Sequence, residues 1–394
     1  MSKQQVKVDN LVRYSPMQIP AIIRAHWKST PKVPANFIAE PSTVKSEGAL
    51  QTAKQLALEE ERTFFNWNKT TLQEKQQIVE NPSKHFIYAD MRASETDIGE
   101  LRLQDMTNGQ DYITFKYNIL FKAMSHPEAK GILFFDEMNL ATNMIKAQFY
   151  KIINDRAVGD LPISDGVLCL SAGNEAEHAR GVTEDPVPLV LRRGNYFLRP
   201  LTAEEYTDYA VKANHHQYVL GYLGFQPNDV HNIKYDLPDS VSQPCPRSWT
   251  KLSSILKANP KLTLPDIEMI ATGMVGQGVA KHFTAYVKSA QNIDLNQIIK
   301  NPELIKKYQT DENISLMYAI ISGVVEKFRE NPKDIIEPAI EMTMHTRAEF
   351  GAFMLRALKN ANHKGFMDGY KNVDEELMKK FVDRYAKFLI RETN

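Results

Sequence analysis

Gly131-Ile-Leu-Phe-Phe-Asp-Glu-Met-Asn139 is the stretch around which the rest of the chain is organised. Its apolar run, Ile132 to Phe135, ends abruptly at two carboxylates, Asp136 and Glu137. An apolar run this short, rich in aromatic and branched side chains, predicts a fully buried strand. Such a strand can carry acids only at its end, which is where open α/β sheets bind their ligands. The stretch therefore predicts an α/β fold with polar chemistry at one edge of a sheet.

The two acids admit two interpretations. In P-loop ATPases the first acid supports Mg²⁺ on the phosphates, and the second orients or deprotonates the attacking water. The alternative is a strand that runs into a helix, whose N-terminus favours acidic side chains. A second apolar run, residues 166–173, ends at the polar Asn174. If both strands lie in one parallel sheet, Asp136, Glu137 and Asn174 converge on a single site, which favours the first interpretation.

A third stretch supplies the context of a phosphate-binding loop. Val33 to Ala39 predicts a short strand, Glu40-Pro-Ser-Thr-Val-Lys-Ser46 a loop, and Glu47 to Arg62 a helix. A Walker A loop lies between a strand and a helix in this way. Its lysine reaches the β- and γ-phosphates, and its serine hydroxyl binds Mg²⁺.

The same loop departs from the motif G-x-x-x-x-G-K-[ST]. Aligned on Lys45 and Ser46, the two glycine positions fall on Ala39 and Val44. Glycine serves there because the backbone must bend sharply and approach the phosphates closely. A β-branched Val44 with positive φ would carry strain of about 1–3 kcal/mol. The alternative is an ordinary strand-to-helix loop with a chance Lys-Ser pair.

Composition bounds the partners and the compartment. The 394 residues carry 48 Lys+Arg and 48 Asp+Glu, so no global basic excess argues for nucleic acid. Cys169 and Cys245 are too few for a disulfide framework and suit a reducing cytosol. The polar N-terminus lacks the apolar core of a signal peptide, and no apolar run is long enough to cross a membrane. We therefore expect a soluble cytoplasmic protein with no membrane partner.

Cationic side chains mark two further positions. Arg192 and Arg193 precede a short strand; paired arginines usually form a solvated face, but one can also reach a phosphate in its own or a neighbouring subunit. Arg247 begins a helix, where an anion can sit. Its alternative is a helix-start residue whose neighbour Trp249 packs in the core. From about residue 203 onward the chain is predicted to be almost wholly helical.

Three weaker elements complete the prediction. Residues 63–84 are interpreted as an insertion, in which an aromatic cluster precedes a polar helix from Thr70 to Glu80. Asp111 to Phe115 predicts a weak hairpin. Residues 311–394 predict about four amphipathic helices without a convergent polar motif, whose role would be packing, oligomerisation or partner binding.

Taken in order, these motifs resemble the MoxR-type branch of the AAA+ ATPases, with a degenerate Walker A loop. The resemblance runs from about Pro34 to Pro302. It identifies Gly131–Asn139 with the Walker B element and Ser171–Asn174 with sensor 1. It identifies Leu191–Arg193 with the arginine-finger segment and Pro246–Trp249 with the sensor 2 segment of the lid.

The resemblance implies an α/β fold with three parts. An AAA+ P-loop core, with a parallel sheet flanked by helices, would span residues 1–200 and contain the insertion at about 63–84. A helical lid domain would span residues 201–302. A helical C-terminal extension would span residues 303–394.

The resemblance also implies a site for ATP and Mg²⁺ between subunits of a homo-oligomeric, usually hexameric, ring. The protein would remodel or activate a client protein in a chaperone-like way, and such clients often carry a von Willebrand factor A domain. The implied catalytic residues are Glu137, Asn174 and Arg193, with Arg193 as the arginine finger. The implied metal ligands are Ser46 and Asp136. The implied nucleotide contacts are Pro41, Ser42, Thr43, Val44, Lys45, Ser46, Glu47 and Arg247.

Two hypotheses remain open at this stage. In the first, the glycine-poor loop binds ATP in an adjusted conformation and the protein is an ATP hydrolase. In the second, the chain is a catalytically impaired AAA+-like scaffold or a structural ring subunit that does not hydrolyse ATP. The replacement of glycine by Val44 favours the second, and the persistence of Glu137, Asn174 and the arginines favours the first.

Overall fold

The structure is a computed structural model that describes residues 11–105, 113–175, 185–238 and 240–390, with side chains up to residue 385. The chain divides into two compact units, Met1–Pro200 and Leu201–Asn394. The first unit is an α/β structure and the second is helical throughout its regular elements.

The first unit alternates strands and helices, as its sequence predicts. Its strands are β1 (Arg13–Tyr14), β2 (Ala35–Ala39), β3 (Thr63–Asn66), β4 (His85–Arg92), β5 (Arg102–Asp105), β6 (Thr114–Tyr117), β7 (Lys130–Asp136), β8 (Ala157–Val158), β9 (Leu161–Pro162), β10 (Val167–Asn174) and β11 (Gly194–Leu198). Its helices are α1 (Ile19–Lys28), α2 (Lys45–Glu59), α3 (Leu72–Glu80), α4 (Ile119–Ser125), α5 (Asn143–Asp155) and α6 (Val187–Val190).

Seven of these strands form one sheet in the order β1-β11-β2-β10-β7-β4-β3. Every neighbouring pair in that sheet is parallel. The predicted fold class, a parallel sheet flanked by helices and followed by a helical region, is confirmed. Since the strands run in one direction, the carboxyl ends of β2, β10 and β7 lie side by side at one edge.

Helices cover both faces of the sheet, and the strand β7 shows how. Successive side chains of a strand point to opposite faces. Ile132 and Phe134 accordingly pack in the core beneath α1 and α2, whereas Leu133 and Phe135 pack with the α5 side chain Phe149 on the other face. Because its apolar side chains pack on both faces of the sheet, β7 is buried from Gly131 to Phe135 and becomes partly exposed at Asp136. The predicted buried strand is therefore confirmed.

Two details of this unit differ from the sequence prediction. Residues 63–66, assigned above to an insertion, form the edge strand β3 and pair in parallel with β4. The aromatic side chains of this strand point alternately to opposite faces of the sheet, whereas the sequence predicted a local aromatic cluster. The weak hairpin predicted over Asp111 to Phe115 is instead an antiparallel ladder between β5 and β6, which includes Thr114 and Phe115, while Asp111 lies outside the described residues.

The second unit consists of α7 (Ala203–Lys212), α8 (Gln217–Phe225), α9 (Pro246–Ala258), α10 (Leu264–Val275), α11 (Gln277–Ala290), α12 (Leu295–Lys300), α13 (Ile314–Glu330), α14 (Pro332–Met344), α15 (Ala348–Ala361), α16 (His363–Tyr370) and α17 (Glu375–Ile390). The first of them begins with a capping box in which Thr202 and Glu205 satisfy each other's main-chain N–H groups. In the described part of the chain after residue 311, five α-helices are present instead of the predicted four, because a break at Asn362 separates α15 from α16. The division into a lid at 201–302 and an extension at 303–394 stays a prediction.

Within the described residues, no helix combines the length and the apolar character that crossing a bilayer requires. The two cysteines, Cys169 and Cys245, are free thiols, and Cys169 is buried.

Candidate functional site

Three neighbouring strands deliver polar residues to one edge of the sheet. Asn174 ends β10 and lies beside Ala39, which ends β2. Asp136 ends β7 on the other side of β10. The convergence of the acids and Asn174, which the sequence predicts if the sheet is parallel, is therefore present in the structure.

The loop between β2 and α2 keeps a left-handed backbone without its glycines. Val44 has φ 51° and ψ 24°, and Ser42 has φ 64°. Val44 stands at the second glycine position of the motif, where a β-branched residue in this conformation is a genuine outlier. Such strain, about 1–3 kcal/mol, persists only where the surrounding structure imposes it, and it concentrates at functional sites.

Lys45, the first residue of α2, turns its amine into this loop. Its Nζ lies 3.3 Å from the carbonyl oxygen of Ala39, 3.2 Å from that of Glu40 and 3.1 Å from Oδ1 of Asn174. The side chain is buried. Since a buried ammonium is stable only when it is hydrogen-bonded, the loop carbonyls and Asn174 together form a prepared site for this one cation.

Ser46 and Asp136 face each other across the same edge. The Ser46 hydroxyl donates to Oδ2 of Asp136 at 2.5 Å, while Oδ1 of Asp136 accepts from the main-chain N–H of Glu137 at 2.9 Å. A hydroxyl and a carboxylate are hard oxygen ligands of the kind that Mg²⁺ accepts together with phosphate oxygens. Among the described residues, no group of three or more His, Cys, Asp or Glu could hold a metal. The Ser46 hydroxyl and the Asp136 carboxylate are by themselves two oxygen ligands that would fit a magnesium ion shared with a nucleotide.

Glu137 begins the turn that follows β7, and its backbone is also left-handed, with φ 56° and ψ 33°. Its carboxylate accepts a hydrogen bond from the Ser94 hydroxyl at 2.5 Å. The side chain is partly exposed. A carboxylate held by one hydroxyl at the edge of a sheet is placed to accept a proton from water.

The remaining predicted loop contacts line the same bend. Pro41 and Ser42 form its turn, and the Thr43 hydroxyl donates to the carbonyl of Glu40, which ties the loop to itself. Glu47, in the first turn of α2, accepts from the Gln51 amide at 2.6 Å. The Thr43 contact thus lies within the loop, whereas the Glu47 contact lies within α2.

Asp90 was not among the predicted site residues, and the structure brings it close to them. It lies on β4, the strand beside β7. Burial and the neighbouring Asp136 raise the pKa of Asp90 to about 6, and its buried Oδ1 has no hydrogen-bond partner. Burial, followed by the carboxylates of Asp90, Asp136 and Glu47, likewise raises the pKa of Tyr88. Asp90, Asp136 and Glu47 thus bring negative charge close to this edge, which favours a cation there.

Asn139 is a second residue that the sequence analysis did not assign to the site. It is buried, and its amide side chain bonds to the main chain of Asn174. Its position two residues after Glu137 was visible in the sequence, but its partner was not, because the two residues are 35 positions apart.

Arg193, the predicted arginine finger, lies in the interior of the first unit. Its side chain is 1% exposed. It forms an ion pair with Asp185, and it donates to the Ser171 hydroxyl at 3.1 Å and to Oδ1 of Asn195 at 3.2 Å. Lys146, also buried, approaches the same Asp185 at 3.5 Å. These contacts pair the guanidinium within its own unit, and the arginine-finger role of Arg193 stays a prediction.

Arg192, the preceding residue, is exposed. Its guanidinium donates to the Tyr150 hydroxyl and lies 5.7 Å from the centre of that ring. Leu191 is exposed beside it. The turn that precedes β11 thus leaves Arg192 exposed and buries Arg193, which the sequence of two consecutive arginines could not specify.

Arg247 lies in the second unit, on the first turn of α9, and is exposed. Its neighbour Trp249 is fully buried, and the indole N–H of Trp249 donates to the carbonyl of Asp229. The alternative interpretation, that Trp249 packs in the core while Arg247 starts the helix, describes these contacts; the nucleotide-sensing role of Arg247 stays a prediction.

Comparison with known proteins gives fold-level resemblances only. No protein-family model matches the sequence, and no curated protein matches it either. A candidate ATPase of Cytophaga hutchinsonii aligns over 92% of this chain and 89% of its own, with 9% identity and a TM-score of 0.32. PCH-2 of C. elegans aligns over 80% of this chain and 69% of its own, with 11% identity and a TM-score of 0.29. The fold class rests on the parallel sheet itself and not on these alignments.

Proposed function

We propose that the chain is an atypical AAA+ ATPase of the MoxR type, which binds ATP with Mg²⁺ and hydrolyses it to remodel or activate a partner protein. One observation carries the proposal: Lys45 contacts Asn174, and Ser46 contacts Asp136, at the edge where the strained loop meets the sheet. These four residues come from three different parts of the sequence. A chance Lys-Ser pair in an ordinary loop has no reason to meet the carboxyl ends of both β7 and β10.

The mechanism follows from the positions of these side chains. The main-chain N–H groups at the start of α2 would bind phosphate oxygens, and Lys45 would exchange its loop carbonyls for the β- and γ-phosphates. Ser46 and Asp136 would hold Mg²⁺, which when bound neutralises charge on the phosphates. Glu137 would accept the proton of the attacking water, and Asn174 would orient that water.

Assembly is the second part of the proposal. We place the nucleotide at the boundary between copies of the chain in a cytoplasmic homo-oligomeric ring, in keeping with the MoxR resemblance. Because Arg193 is buried, we assign the intersubunit arginine to Arg192, whose guanidinium is exposed on the surface of the first unit. The client protein, with or without a von Willebrand factor A domain, belongs to the proposal through the resemblance alone.

A non-hydrolysing scaffold is the second candidate function. The observation that favours the scaffold is that the Lys45 amine already donates hydrogen bonds to the carbonyls of Ala39 and Glu40. If those bonds outweigh the attraction of phosphate, the loop stays closed on its own lysine. The same sheet would then serve only to hold a ring together.

The test is the rate of ATP hydrolysis by the intact chain and by Glu137→Gln. General-base catalysis contributes typically about 10²–10⁴-fold, so we expect Glu137→Gln to lower kcat by about that factor while calorimetry still detects MgATP binding. Glu80→Gln, a matched change at an exposed position on α3, should keep the full rate. Turnover that is equal in Glu137→Gln and the unmodified chain would contradict the catalytic assignment, and a chain that binds no MgATP would favour the scaffold.

A further inference from the structure

Asn139 occupies the turn that connects the Asp136–Glu137 pair to the rest of the unit. It lies in the short helical turn Met138–Leu140 that follows β7. Its relative exposure is 7%. A buried amide must find partners for both its N–H₂ donors and its carbonyl acceptor.

Asn139 finds those partners on the main chain of Asn174. Its Nδ2 donates to the carbonyl oxygen of Asn174, and its Oδ1 accepts from the main-chain N–H of Asn174 at 3.2 Å. The side chain thus imitates one residue of a neighbouring strand at the point where β10 ends. Asparagine suits this position because its amide offers one donor and one acceptor side by side.

The residue before Asn174 leaves room for this contact. A Cβ atom built on Gly173 would lie 3.0 Å from Cγ and from Oδ1 of Asn139. That distance is tighter than normal packing, so any larger residue at position 173 would press against the Asn139 amide. Gly173 and Asn139 therefore form one fitted pair.

The two hydrogen bonds between the Asn139 amide and the Asn174 main chain act as a clamp. This clamp connects two groups of the proposed reaction. Fixing the main chain of Asn174 also fixes the origin of its side chain, whose Oδ1 receives the Lys45 amine at 3.1 Å. Glu137, whose backbone is left-handed, directly precedes the helical turn that contains Asn139. The hydrogen bonds of Asn139 therefore join this turn to the main chain of Asn174.

We infer that Asn139 is a positioning residue, which locks the turn carrying Glu137 to the end of β10 and thereby sets the relative positions of Glu137, Asn174 and Lys45. Its consequence for turnover rests on the proposed ATPase function, whereas the clamp itself does not. Removing the amide takes these partners from the main-chain N–H and carbonyl of Asn174, which must then find other partners.

The test uses the full chain with Asn139→Ala and the control Asn143→Ala, a change at an exposed position on the same side of the turn. Hydrogen exchange followed by mass spectrometry reports the clamp without nucleotide. We expect peptides that contain residues 137–140 and 172–175 to exchange at least tenfold faster in Asn139→Ala, with exchange in β4 and in the second unit unchanged. Asn143→Ala should exchange as the unmodified chain does.

The second measurement separates positioning from general destabilisation. In Asn139→Ala we expect kcat for ATP to fall at least tenfold while the Kd for MgATP, measured by calorimetry, changes less than threefold. Unaltered exchange at both peptides would overturn the clamp. Accelerated exchange with an unaltered kcat, or with equal losses of binding and turnover, would overturn the positioning role. If the unmodified chain does not hydrolyse ATP, the proposed function fails and the positioning role fails with it, while the exchange result still decides the clamp.

Discussion

The phosphate loop and the arginine segment of this chain depart from their motifs in opposite ways. The loop from Ala39 to Ser46 lacks the glycines, yet its backbone is left-handed at Ser42 and Val44 and its Lys45 and Ser46 meet the carboxyl ends of β10 and β7. The segment Leu191–Arg193 has the expected arginine, yet Arg193 is enclosed in the core.

The comparison shows that a motif specifies residue types, whereas the burial of each side chain determines which groups it can contact. A loop conformation can survive the loss of its glycines when the flanking strand and helix hold both ends, at a cost in strain. A guanidinium cannot act at a distance when it must stay paired in the interior. We therefore expect the loop to retain a binding role and Arg193 to have a structural one.

The largest expected effect comes from the arginine segment. Breaking a buried ion pair by removing one partner is destabilising by about 3–5 kcal/mol. Arg193→Ala leaves Asp185 without the guanidinium that binds it, so we expect a loss of this order in the free energy of unfolding, measured by urea denaturation. Arg192→Ala is the matched control, and it should change the unfolding free energy by less than about 1 kcal/mol.

These two variants separate the structural and the functional arginine. Under the proposed assembly, Arg192→Ala should reduce turnover of the ring without lowering its stability. A stable Arg193→Ala protein with normal unfolding and lost turnover would restore Arg193 as the finger and contradict the interpretation of its burial.

The next effect concerns strain in the loop. Val44→Gly removes a side chain from a left-handed position and should recover about 1–3 kcal/mol of strain, less the roughly 0.4–1 kcal/mol by which glycine favours the unfolded chain. We expect the unfolding free energy to rise by about 1 kcal/mol on this balance. Val44→Ala is the control, because it keeps a Cβ and with it most of the strain.

This interpretation of the loop would be wrong if glycine at position 44 did not stabilise the folded protein. A Val44→Gly protein that is less stable than Val44→Ala would mean that the branched side chain contributes packing that outweighs its backbone strain. In that case the left-handed conformation is no sign of a retained phosphate loop.

A further expected effect is a pH dependence at Asp90. The folded pKa of Asp90 is raised from 3.8 to about 6, chiefly by burial and then by Asp136. The folded state therefore binds this proton more tightly, and the stability that results is present below pH 3.8 and lost as the pH rises through about 6. Asp90→Asn has no carboxyl group at this position and should not lose this stability. Its free energy of unfolding relative to that of the unmodified chain should therefore increase between these two pH values and then level off.

Thermal unfolding in the presence of a chelator, across pH 3.5 to 8, measures this difference. Asp97→Asn changes a carboxylate on the loop after β4 and serves as the control for the assay. A constant difference between Asp90→Asn and the unmodified chain across the whole range would show that the carboxyl group of Asp90 titrates as an exposed acid does.

Sequence reasoning could predict what depends on local pattern. The buried strand before Asp136 and the polar end of β10 at Asn174 follow from apolar runs with abrupt polar ends, and they confirm the α/β fold. The positive φ at Val44 was considered only as a strained condition that the motif would impose, and it argued against the motif. These features are encoded within a few consecutive residues.

Tertiary contacts fixed the rest. The sequence gives no local sign that Thr63–Asn66 pairs with β4. It gives none that Asp185 will enclose Arg193, or that Asn139 will bond to a residue 35 positions away. The pKa of Asp90 likewise depends on a neighbouring strand. In each case the deciding partner is distant in sequence, so residue type and spacing could not identify it.

Calorimetric titration of the full chain with MgATP tests the central claim most directly. The claim is that a glycine-poor loop still binds phosphates through Lys45. It predicts saturable binding that weakens by roughly 10–100-fold in Lys45→Ala, since hydrogen bonds to charged groups contribute about 1.5–3 kcal/mol. Lys54→Ala, on the same helix, should bind as the unmodified chain does. The absence of MgATP binding, or binding that Lys45→Ala leaves intact, would contradict the claim.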